Sequence, residues 1–329
     1  MRLYTKSQVD EARNAVALMK ALGLQSWKDL ITVVRANLIQ DNPITEQHIS
    51  RAKDTWQDLV FTIKGKSVRK PPPKHIENYV QVPKSVIRRH HLVHPYLDIV
   101  SVSGINFLTS ISDNIRYRTA ESIDQKTAEV LERHIHALIR RYANAGYTVN
   151  MITTDPEFKA SLIQVEASLA NKIQFSYVAA QGHVAPAERN HRTIKARVRS
   201  AYHSLPFAAL PRAMLKILVV HETTKLNYFV SRTGLQCSPR TMMKERKLQY
   251  GEHCRIPFGA YVQAPHENKH YNTEAPRSLD ALYLRPLYNG QNGHELYHIP
   301  TDRVITRTGH LQVVPTPRSV ILAINKHAE

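Results

Sequence analysis

Cysteine is almost missing from this chain: Cys237 and Cys254 are the two among 329 residues. Without a second close pair they build neither a disulfide framework nor a Cys-rich zinc site, and a reducing compartment follows. Long apolar stretches are missing too. No run of roughly 18 apolar residues occurs, and no apolar signal core follows Met1-Arg2-Leu3-Tyr4-Thr5-Lys6. Neither a membrane partner nor secretion by a signal peptide is expected. Acidic residues are scarce, 27 Asp and Glu against 45 Lys and Arg, which leaves a formal net charge of +18 before 18 His are counted. That imbalance makes polyanions the leading partners, because each neutralised phosphate releases counterions. No Ser-His-Asp elbow, Walker loop or dinucleotide fingerprint is present. What is there, 42% hydrophobic and 22% charged residues, suits a globular protein with a real core and two or three domains.

Residues 1–64 read as a small helical module. Val9, Ala12, Ala15, Val16, Met19 and Leu22 recur at helical spacing up to Gly23. Ser26-Trp27-Lys28-Asp29 opens a second helix running to Leu38, and Thr45 a third from Glu46 to about Val60. A basic, proline-rich linker spans 65–91, including Pro71-Pro72-Pro73. It can lie along nucleic acid, act as a nuclear address, or simply be a solvated connector.

From residue 92 the pattern becomes strand, strand, strand, helix, strand, helix, strand, helix. Leu97–Val102, Phe107–Ile111 and Ile115–Thr119 alternate as a meander turning at Gly104. A long helix fills Ser122–Asn144, a β-branched run ends at Ile152, and a helix follows from Glu157 to Leu169. A strand at Lys172–Val178 and a helix at Ala187–Ser204 complete the series. The predicted class is α/β, a mixed sheet covered by helices. More helix is expected over Ala208–Val219 and His221–Phe229. Short strands in residues 250–320, punctuated by Gly, Asn and Pro, predict a small β-barrel.

Three acidic residues fall on this frame: Asp98 on the first strand, Asp155 at the end of the fourth, Glu188 on the last helix. They are 57 (155 − 98) and 33 (188 − 155) residues apart. Distant carboxylates gathered at one sheet edge suit divalent metal ions beside a phosphodiester, since magnesium takes oxygen ligands and keeps several waters. On a helix Glu188, Arg192, Lys195 and Arg199 share one face, while Ala187, Ile194, Val198 and Ala201 face another that can pack on the sheet. Asp113, beside Asn114, reads as turn chemistry, and Glu157, two residues after Asp155, as structural.

The segments Tyr96-Leu97-Asp98-Ile99, Thr154-Asp155-Pro156-Glu157-Phe158 and Ala187-Glu188-Arg189-Asn190-His191-Arg192-Thr193-Ile194-Lys195 resemble the integrase core of copia-type long-terminal-repeat retrotransposons. Leu226-Asn227 and the Ser238-Pro239 stretch resemble later parts of the same region. The resemblance implies a ribonuclease-H-like integrase core with a mixed five-stranded sheet over 92–245, behind the helical module and ahead of the barrel. It implies Asp98, Asp155 and Glu188 as catalytic and metal-binding residues for two Mg2+ (or Mn2+) ions. It further implies Arg189, Arg192, Lys195 and Arg199 as contacts to double-stranded DNA of element ends and target, a homo-oligomer, and a place in the nucleus or a cytoplasmic particle. Such integrases commonly carry a His-His-Cys-Cys zinc module, but no cysteine precedes Cys237, so no structural zinc is expected. Pro156 after Asp155 and Ala187 before Glu188 depart from the family pattern. No reverse-transcriptase Tyr-x-Asp-Asp or Asp-Ser/Thr-Gly protease motif occurs, which suits a fragment, a processed product or a relic gene.

Overall fold

The computed structural model of the chain describes residues 4–66, 79–169, 173–177, 185–230, 237–266, 274–288 and 293–329. It opens on helices α1 (Lys6–Ala21), α2 (Trp27–Arg35), α3 (Glu46–Trp56) and α4 (Val60–Lys66). Thr5 and Gln8 exchange side-chain and backbone hydrogen bonds as a capping box on α1. The Ser26 hydroxyl accepts the Asp29 N–H at 3.1 Å to start α2. α2 ends at Arg35, short of Leu38, because Asn37 turns left-handed at φ +49°. α3 likewise stops at Trp56, where Gln57 takes φ +50°. Ala12, Ala15, Met19, Leu30, Ile49 and Ala52 are the buried centre of this module.

The triple proline lies in residues 67–78, outside the described residues. Beyond it the expected linker is folded. The Val80 N–H donates to Glu245 O at 2.7 Å, the Arg246 guanidinium lies 5.1 Å from the Tyr79 ring centre, and α5 (Lys84–Arg89) follows.

Next come β1 (Leu92–Val93), β2 (Pro95–Val102), β3 (Ile105–Ser112), β4 (Arg118–Ile123), α6 (Ala128–Ala143), β5 (Thr148–Val149), β6 (Met151–Thr154), α7 (Lys159–Ser168), β7 (Gln174–Tyr177) and α8 (Ala185–His203). The five-stranded sheet has the order β4-β3-β2-β6-β7. β2, β3 and β4 pair antiparallel, and β6 and β7 add on parallel to β2. Ser103 and Gly104, at φ +49° and +73°, make the tight turn that joins two right-twisted strands. Strand alternation then sorts the faces. Leu97 shares a core with Leu131 and Ile135 of α6, while Val100 shares the opposite one with Ile194 and Val198 of α8.

The remainder holds α9 (Arg212–Leu226), α10 (Pro239–Lys244), β8 (Tyr261–Pro265), β9 (Ser278–Pro286), β10 (Gly293–His298), β11 (Arg303–Thr308), β12 (Gln312–Val313) and α11 (Arg318–His327). These strands form an antiparallel sheet ordered β11-β10-β9-β8-β12. Its end strands do not pair with each other among the described residues, so the sheet is open there. Leu282, Leu284 and Tyr297 enter the same core as Val198, Leu218 and Ile324, which joins the two sheets through α8, α9 and α11. No helix among the described residues is long and apolar enough to cross a membrane.

Two helices expected between Ala208 and Phe229 are one. The polar pair His221-Glu222 breaks the apolar pattern without breaking the helix: His221 stacks on Phe258, and Glu222 pairs with Lys225 at 2.6 Å. Burial holds His221 well below its ordinary pKa and lowers His294 to about 4. Both rings are buried neutral, so unfolding takes up protons once the pH falls below the unfolded value near 6.5. Stability is therefore full above about pH 6.5 and is lost progressively toward pH 4. His294 alone contributes on the order of 3 kcal/mol to that loss. Urea unfolding across this window checks it, with His294→Gln expected to flatten the slope.

Candidate active site at the carboxylate edge of the first sheet

Asp98 stands in the middle of β2, on the α8 side of the sheet with Tyr96 and Val100. β2 and β6 run parallel with Tyr96 opposite Thr153. β6 ends at Thr154 and Asp155 follows it directly, so the same register carried two residues further would set it across from Asp98 on one face. Asp155 keeps extended backbone, φ −68° and ψ 149°. Pro156 then opens a 3-10 turn through Phe158, since a residue without an N–H cannot extend the ladder. The turn stops the strand at the acid. Glu188 lies in the first turn of α8, where the helix dipole favours a carboxylate.

α8 reaches Asp98 through His191, a residue that no motif singled out. Its Nδ1 lies 3.4 Å from Asp98 Oδ2, and its Nε2 lies 2.8 Å from Thr109 Oγ1. Thr109 sits opposite Asp98 in β3 and donates its hydroxyl hydrogen to Asp98 O at 3.0 Å. The distance to Asp98 is that of an ion pair, but burial and then Lys195 lower the ring's pKa to about 4. A neutral His191 therefore spans the Asp98 carboxylate and the Thr109 hydroxyl with its two ring nitrogens and ties α8 to β2 and β3. The signal available in the sequence was spacing: residue 191 is one turn after Glu188, on the same side.

The set is not closed in this conformation. Among the described residues no group of three His, Cys, Asp or Glu side chains is gathered closely enough to hold an ion. The structure thus puts His191 on Asp98 and Asp155 just past the end of the neighbouring strand, and among the described residues it does not gather the three acids into one ligand set. Glu188 instead faces Arg192 at 3.9 Å, on side chains 40% and 80% exposed. A contact that long and that solvated is worth little.

Arg192, Lys195 and Arg199 are exposed on the Glu188 side of α8, following from their i+4, i+7 and i+11 spacing. Arg189 points to the other flank, toward Arg116 and Arg118. Asp113 follows β3, its backbone N–H bonded to His94 O at 2.9 Å. Glu157 lies within the 3-10 turn.

No protein-family profile matches the chain, and no curated protein matches it. Among solved structures, the catalytic core domain of BIV integrase superposes with a TM-score of 0.35 at 20% identity. The match covers 47% of this chain and 95% of that one. A likeness that slight carries no weight for function.

Proposed function

We propose that the chain is a polynucleotidyl transferase of the retrotransposon-integrase type, closest in its motifs to copia-type elements. One observation supports this reading: β2, which bears Asp98, pairs parallel with β6, which ends next to Asp155, and Glu188 stands in the first turn of the helix packed against β2. The basic flank of α8 starts at that point, where the phosphates of a bound strand would continue. In this reading Asp98, Asp155 and Glu188 hold two Mg2+ or Mn2+ ions. Such ions, when bound, supply Lewis-acid activation of water or a DNA 3′-hydroxyl and stabilise the leaving oxygen. The chain's own residues do the rest. Thr109 and His191 fix the Asp98 side of the site, and Arg192, Lys195 and Arg199 bind double-stranded DNA of element ends and target. The sequence of reactions is 3′-end processing followed by strand transfer, carried out by a homo-oligomer with access to nuclear DNA.

The test is metal-dependent DNA joining by the full chain and by Glu188→Gln. Undiminished joining by the variant overturns the assignment. A second reading, a decayed or domesticated integrase that binds DNA without cutting it, is favoured by the unclosed ligand set among the described residues. It predicts DNA binding with no joining in the unaltered chain.

A further inference from the structure

On the far flank of α8 from Glu188 lies a cavity of about 380 Å³. Arg116 and Arg118 reach it from the β4 side, Arg189, Asn190, Thr193 and Arg197 from α8. No carboxylate lines it, and among the described residues none of the four arginines forms an ion pair. Asn190 is 2% exposed. Its Oδ1 accepts the Arg118 Nε–H at 3.0 Å, while its Nδ2 is buried with no partner in the chain. The Thr193 hydroxyl is committed to Arg189 O at 2.9 Å. An orphaned buried donor costs free energy that a ligand acceptor would return. Arg116 adds a second cost, since it holds a left-handed φ of +56° to stand beside Arg118, a backbone strain that clusters at binding sites.

Every unsatisfied group here is a donor or a positive charge, so the fitting occupant accepts hydrogen bonds only and is anionic. Guanidinium forks match the oxygens of a phosphoryl group. We propose that this cavity is a phosphoryl-binding site that takes one backbone phosphate of the nucleic acid strand bound at the carboxylate edge. The assignment rests on the integrase-type reading for its choice of strand over free phosphate. Ala187, Ile194 and Val198 are buried between the two flanks, so the cavity and Glu188 are one helix width apart, about 10–12 Å. At about 3.4 Å of rise per nucleotide, the phosphate lies roughly three nucleotides from the reacting one.

The experiment is binding of a short labelled DNA duplex to the full chain across a salt series. The variants are Asn190→Asp and the surface pair Arg116→Ala with Arg197→Ala. Asn190→Asp keeps the shape and offers Arg118 a carboxylate, so folding is retained while the cavity loses its anion. Loss of one phosphate contact lowers the slope of log affinity against log salt by about 0.9. Both variants are expected to show at least that loss, and inorganic phosphate is expected to compete in the unaltered chain. Unchanged affinity and slope in the arginine pair overturn the proposal even if Asn190→Asp fails to fold. Phosphate binding that the variants abolish, with duplex binding untouched, overturns the strand as its source. Binding alone is read here, while the catalytic reading is read by joining activity, so failure of one is distinguishable from failure of the other.

Discussion

Glu188→Gln is expected to lower metal-dependent DNA joining roughly 10²- to 10³-fold, the scale of removing one electrostatic stabiliser from a transition state. Duplex affinity and folding should be unchanged. Gln has the shape of Glu, so the first turn of α8 keeps its packing, which depends on Ala187 and Ile194 rather than on this half-exposed carboxylate. What is lost is one negative charge where cationic charge must be held. The loss should also resist rescue by raised metal concentration, because an amide oxygen is a far weaker ligand than a carboxylate. Joining assays under magnesium and under manganese, with duplex binding measured in parallel, check both halves. A fall in binding to match the fall in joining would point to a damaged helix instead.

Asn227→Ala should destabilise the fold by about 2–5 kcal/mol, the combined cost of orphaning a buried donor and a buried acceptor. The residue is 2% exposed. Its Oδ1 accepts the Arg118 N–H at 2.8 Å, and its Nδ2 donates to Arg118 O at 2.8 Å. It thereby does for the outer side of β4 what a sixth strand would do, and closes an edge that would otherwise be open to pairing. The same clamp sets Arg118 in position over Asn190. Asn227→Asp retains the acceptor and turns the donor into a carboxylate oxygen facing a carbonyl, so it should also lose stability. Urea midpoints for the two variants read the effect.

Much of the frame was legible in the sequence, for local reasons. The meander followed from period-two alternation and from Gly104, and α8 from the apolar spacing of Ala187, Ile194 and Val198. The β-branched run up to Ile152 marked the strand that leads to Asp155. Other elements escaped because tertiary burial overrode local pattern: α9 carries His221, Glu222 and Thr223 inside the core, where a polar triplet reads as a break. The helix α11 was not anticipated, because Arg318–His327 begins at the end of a stretch read throughout as short strands. At the site, the element carrying each acid could be read, but not whether the acids meet. That depends on side-chain rotation across β2, β6 and α8, which no spacing encodes. His191 shows the same limit: its partners, Thr109 and Asp98, come from two other elements.

The central claim is that Asp98, Asp155 and Glu188 form one divalent-metal site, and Mn2+ uptake measured by electron paramagnetic resonance tests it without any DNA. The unaltered chain should bind Mn2+, and the Asp98→Asn Asp155→Asn double variant should lose that binding while remaining folded. Uptake by the double variant equal to that of the unaltered chain, or no uptake by the unaltered chain, would contradict it.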